Sequence, residues 1–167
     1  MDAAFVPGIE PPDAIEATAW RWFVFRGADL LVVQERGVVE LTLPRSAHAA
    51  DLGLPTTRRQ YLGRAGSVLY WSAELAPEAE PPTGGRFVGL RALYGVLPEP
   101  LYALAGRAAQ IVAWDRDHQF CGRCGAPTEP SNRERARRCP RCGLLAFPRV
   151  SPAVIVLIER EERILLA

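Results

Sequence analysis

Four cysteines in one window constrain this 167-residue chain more than anything else in it: Cys121-Gly-Arg-Cys124, then fourteen residues, then Cys139-Pro-Arg-Cys142. Each Cys-x-x-Cys closes a tight turn that aims two sulfurs at one point, and two such turns complete the tetrahedron that zinc prefers. A glycine follows each pair, Gly125 and Gly143, where such turns often require a left-handed backbone. Four thiolates leave no coordination position for water, so the expected zinc ion is structural, with Cys121, Cys124, Cys139 and Cys142 as its ligands. Two disulfides or a redox dithiol are the competing readings. The first needs an oxidising compartment and the second a βαβ setting around one pair, and the sequence points to neither. His118 reads as a surface or packing residue beside a site that already has four sulfurs, and His48 has no partner in view.

Composition places the window in an ordinary globular protein. Hydrophobic residues make up 49% and charged residues 23%, which argues against disorder, a collagen-like rod or a coiled coil. With 14 Gly and 15 Pro, many turns are expected. The 20 basic residues are all arginine against 19 acidic ones, so a net charge of +1 gives no general attraction to nucleic acid or membrane. The longest aliphatic run, Ala153 to Ile158, is far short of the roughly 20 residues a membrane helix needs. Asp2, Glu10, Asp13 and Glu16 stand among prolines where a secretory signal would be basic and then apolar, which leads to the expectation of a cytoplasmic protein.

The hydrophobic pattern divides the chain. After an irregular leader of sixteen residues, β-rich runs are predicted at Thr18–Phe25, Leu30–Val33, Val38–Leu43 and Val68–Leu75, the middle two forming a hairpin. Residues 45–66 carry no clear period. Leu90, Leu93 and Leu97 have helical spacing, and beyond Pro98 and Pro100 the stripe Leu101, Leu104, Ala105, Ala108, Ile111 and Val112 predicts a helix with Arg107 and Gln110 on its wet face. Between the cysteine pairs, Arg133, Arg135, Arg137 and Arg138, with Arg141 just beyond, offer either phosphate contacts or a solvated, charge-balancing ribbon face. Ala153–Glu159 reads as a buried strand, and Glu161 and Glu162 as the turn of a hairpin that returns through Ile164, Leu165 and Leu166.

The stretch FCGRCGAPTEPSNRERARRCPRCGLLAFPRVSPAVIVLIEREERILLA, residues 120–167, resembles the middle of the NADH pyrophosphatases of the Nudix superfamily, and AGRAAQIVAWDRDHQ just upstream resembles the helix before their zinc ribbon. The resemblance implies an α+β fold: a β-rich N-terminal domain over residues 1–114, a zinc ribbon over 115–150, and over 151–167 the opening hairpin of a Nudix domain. It implies hydrolysis of the diphosphate of NAD(H) to nicotinamide mononucleotide and AMP, removal of NAD caps from RNA, and homodimers. The family's catalytic glutamates hold Mg²⁺ or Mn²⁺ in a box, G-x5-E-x7-R-E-U-x-E-E-x-G-U, that this sequence does not contain. Arg160-Glu161-Glu162 and Arg133-Glu134 share only its Arg-Glu, with Pro152 and Gly125 where the box has its first glutamate. The expectation is therefore a chain truncated before the box and inactive by itself, with Leu165 and Leu166 on an exposed edge that favours self-association. By the same resemblance Glu134 and Phe147 line the substrate pocket, Phe147 standing where the family often has tyrosine. The alternative is a stand-alone zinc-ribbon module that binds RNA or a protein through Arg133–Arg141.

Overall fold

A computed structural model describes residues 3–12, 19–34, 41–46, 51, 53–149 and 154–165. Thr18, His48, Leu166 and the Val38–Glu40 part of the expected hairpin lie outside the described residues. Among the described residues the first unit is a mixed sheet covered on one face by one long helix. Its strands are β1 (Phe5–Pro7), β2 (Ala19–Arg26), β3 (Asp29–Gln34), β4 (Leu41–Thr42), β5 (Thr56–Ala65), β6 (Val68–Leu75) and β7 (Gly85–Gly89). They lie in the order β1-β5-β6-β2-β3-β4, with β7 also on β3. All pairs are antiparallel except β2 with β6, which run parallel from Ala19↔Val68 to Phe25↔Glu74.

Alternation along β2 sorts its side chains between two cores. Phe23 and Phe25 join Leu30, Leu62 and the helix residues Leu104, Ala105, Ala108, Ile111 and Val112 on one face. Trp22 and Val24 join Leu31, Ala73 and Leu75 on the other. The helix α1 (Glu99–Asp117) starts where expected: Pro98 caps it and Pro100 sits in the first turn, where a missing N–H breaks no helical bond. Arg107 and Gln110 are exposed on its outer face.

Several elements depart from expectation. The leader holds β1, which adds to the sheet edge beside β5. The unassigned stretch 45–66 contains β5, a ten-residue strand interrupted by a register shift between Tyr61 and Gly63. Gly63 has φ 144°, and a Cβ there would lie 2.3 Å from the Val6 carbonyl oxygen, so only glycine lets β1 close on the bulge. Leu90 and Leu93 belong to a short 3-10 turn rather than to α1. Of the expected strand Ala153–Glu159, Ala153 lies outside the described residues and only Glu159 is in a strand. Val154 to Ile158 are exposed and irregular, and only β11 (Glu159–Arg160) and β12 (Arg163–Ile164) pair around the Glu161–Glu162 turn. An aliphatic run becomes a buried strand only where another layer covers it, and no described residue covers this one.

Candidate metal centre and the cleft beside it

Beyond α1 the chain makes a second, much smaller sheet, with β8 (Glu129–Pro130) and β10 (Leu145–Ala146) flanking β9 (Arg137–Arg138). Two knuckles of equivalent geometry carry the cysteines. In the first, the Gly125 N–H donates to the Cys121 carbonyl at 2.9 Å and the Cys121 N–H to the Ala126 carbonyl at 2.8 Å. In the second, the Gly143 N–H donates to the Cys139 carbonyl at 3.0 Å and the Cys139 N–H to the Leu144 carbonyl at 2.9 Å. Gly125 and Gly143 share φ 72°, the left-handed backbone that side-chain-bearing residues avoid.

The four Sγ atoms lie within 4.8 Å of one another, with Cys121–Cys142 and Cys124–Cys139 at 3.5 Å. A tetrahedral zinc with bonds of about 2.3 Å requires sulfurs about 3.8 Å apart. The cluster fits that ion. Cys139 is fully buried and Cys121 nearly so, while Cys124 and Cys142 are half-buried. The Arg123 N–H, 3.4 Å from its sulfur, leads the contacts that draw the Cys121 thiol down to about 6. Cys139 is likewise lowered, first by the Cys142 N–H. Cys124 feels the Ala126 N–H pulling down, but burial and the neighbouring sulfurs push it up to about 11. A dication is what allows all four to ionise together.

Arginines from the inter-knuckle loop fasten the ribbon to the first unit. Arg137 donates from Nη1 to Asp115 Oδ1 of α1 at 2.7 Å, from Nε to Thr128 Oγ1 at 2.7 Å and from Nη2 to the Thr128 carbonyl at 2.8 Å. Thr128 in turn donates its hydroxyl to the His118 carbonyl. Arg135 reaches across to the sheet, donating to Gln60 Oε1 at 2.8 Å, to the Tyr61 carbonyl at 2.8 Å and to the Gly8 carbonyl. Two of the five arginines of the stripe are therefore internal clamps, which leaves Arg133, Arg138 and Arg141 exposed. His118 ends α1, its Nδ1 2.7 Å from the Trp114 carbonyl, and takes no part in the sulfur cluster.

The docked ribbon encloses a cleft of about 380 Å³ against β5, β6 and the end of α1. Glu134 stands exposed on its rim and also faces an outer groove along the ribbon. Phe147 lies elsewhere, 47% exposed in a hollow of about 440 Å³ with His118, Phe120 and Leu145. Glu134 and Phe147 thus line different hollows. The sequence singles out Arg135 and Arg137 within the arginine stripe but not as clamps, because a charge run normally marks a solvated face, and Ala136 between them is the local sign of a buried segment.

Residues 20–114 match the NADH pyrophosphatase-like rudimentary NUDIX domain, and residues 116–147 the NADH pyrophosphatase zinc ribbon domain. Similar proteins include the NAD-capped RNA hydrolase NudC of Deinococcus radiodurans, 54% identical over 99 residues, 59% of this chain and 35% of that one. Those of Stutzerimonas stutzeri and Pseudomonas fluorescens Pf-5 are 37% and 38% identical over 146 residues, 87% of this chain and 51% of theirs. The chain thus spans about half the length, or less, of these relatives. The first match covers more than half of the chain and the second falls on its four-cysteine cluster, so this protein belongs to the NADH pyrophosphatase family of Nudix hydrolases.

Proposed function

We propose that this chain is the N-terminal and zinc-ribbon part of an NAD(H) diphosphatase that yields nicotinamide mononucleotide and AMP and also removes NAD caps from RNA. The observation that carries the reading is the order of the parts, a rudimentary NUDIX domain followed by a four-cysteine zinc ribbon, in a chain 37% and 38% identical over 146 residues to proteins named NAD-capped RNA hydrolases. The units divide at residues 1–114, 115–150 and 151–167. Zinc at Cys121, Cys124, Cys139 and Cys142 is structural, because four sulfurs leave no position for a reacting water. Glu134 and Phe147 contact substrate, the first through its carboxylate and the second by stacking.

The hydrolytic step needs Mg²⁺ or Mn²⁺ held by glutamates of a Nudix box. No such box occurs in these 167 residues, so the chain alone does not turn over NADH. The working enzyme is a cytoplasmic homodimer. Incubating the purified chain with NADH and Mn²⁺ tests the reading: no AMP is expected, and robust AMP release would place the catalytic machinery within these residues and overturn it. Light scattering tests self-association, which a strictly monomeric species at high concentration would refute.

A further inference from the structure

The cleft between the ribbon and the sheet carries a charge imbalance that the fold does not explain. Its lining holds four arginines, Arg58, Arg59, Arg135 and Arg137, against two carboxylates, Asp115 and Glu134. Arg137 is neutralised by Asp115, and Arg58 by Glu74 behind the wall at 2.7 Å. Arg135 is held by neutral acceptors only, one side-chain amide and two carbonyls. Burial, and then the charge of Arg107, push its ionisation down, as expected for a desolvated cation without a counter-charge. Arg59 is exposed and has no acidic partner among the described residues.

The same walls carry flat surfaces. The Trp71 ring stacks on Trp22 at 5.5 Å and meets Tyr61 edge-on at 5.2 Å, and its indole N–H, like that of Trp114, is buried behind the lining rather than offered to the cleft. Trp71 is half-buried, and Ile9, Pro11 and Pro130 complete an apolar surround. A volume of about 380 Å³ falls in the range of about 300–1,000 Å³ found for small-molecule sites. An anion answers the unbalanced arginines, and a planar ring answers the tryptophan and proline walls.

We propose that this cleft binds a nucleoside 5′-monophosphate unit, its phosphate toward Arg59 and Arg135 and its base against Trp71. Glu134 stands at the rim but is not needed for the assignment, which does not depend on the diphosphatase reading. The unit is either a free nucleotide or one residue of a single-stranded RNA.

Indole ¹⁵N–¹H spectra of the zinc-loaded chain test this with four resolvable reporters, Trp20, Trp22, Trp71 and Trp114. AMP is expected to move the Trp71 and Trp114 signals saturably while Trp20 stays in place, with inorganic phosphate binding more weakly. Arg59→Ala is expected to weaken AMP by about fivefold or more, with the Trp20 signal and zinc content unchanged. A short oligoadenylate that binds more tightly than AMP identifies an RNA strand as the source, and one that binds more weakly identifies a free nucleotide. The proposal is overturned if neither ligand moves Trp71 and Trp114 at millimolar concentration, if Arg59→Ala binds AMP as well as the parent, or if phosphate alone binds as tightly as AMP.

Discussion

The sheet-and-helix unit hides Phe23, Phe25, Leu30, Leu31, Leu43 and Leu62 almost completely, whereas the ribbon buries only Cys121, Ala136, Arg137 and Cys139 among its described residues. Two of those four are metal ligands and a third is a charged clamp. The larger unit can rest on apolar burial shared between two faces of one sheet. The smaller has too little surface to hide and depends on coordination within and attachment to its neighbour. The lesson is that one short chain uses two kinds of stabilisation, and that each should fail to its own perturbation.

Metal removal should break the comparison most sharply. A structural zinc contributes about 10–16 kcal/mol to small cysteine domains, so a strong chelator, or Cys139→Ser, should unfold the ribbon and leave the sheet folded. Loss of amide protection over residues 121–147 with retained protection in β2 and β6 is the expected hydrogen-exchange pattern. Equal loss in both would show that the units are not separable.

Phe23→Ala is the converse test. Removing a fully buried ring at the helix–sheet contact should cost about 3–5 kcal/mol and lower the thermal midpoint of the first unit. Cobalt substituted for zinc should keep its tetrathiolate absorption after that unit melts, and loss of the two signals together would contradict separate stabilisation.

Arg137→Met sharpens the account of the seam. It leaves Asp115 buried without its partner, at a cost of about 3 kcal/mol, and restoring neutrality with Asp115→Asn should recover part of the loss in a double-mutant cycle. The smallest effect is expected at Arg58→Ala. Its side chain is 32% exposed beside Glu74, and Arg116 still contacts the same carboxylate, so urea denaturation should detect about 1 kcal/mol or less.

What was legible followed from how local each signal is. The cysteine knuckles, β2, β3, β6 and the stripe of α1 are set by neighbouring residues, and they stand where spacing and periodicity placed them. The long strand β5 was hidden because Arg58, Arg59 and Gln60 serve the cleft rather than a core, and because Gly63 interrupts the alternation. β1 was hidden because a three-residue edge strand owes its existence to the partner it joins. The run Val154–Ile158 failed in the opposite sense: it has strand composition, and no described residue covers it. At the candidate site the metal ligands could be read directly. The clamps Arg135 and Arg137 could not, since their acceptors lie on segments distant in sequence.

Two of the three groups that hold Arg135 belong to the main chain, at Gly8 and Tyr61. A carbonyl is present whatever side chain a position carries. This part of the ribbon's tether is therefore insensitive to the identity of residue 61, which can diverge over generations without casting the ribbon loose. Loss of the arginine, or a slip in the register of β5, would undo it and leave Arg137 alone to hold the ribbon to the helix.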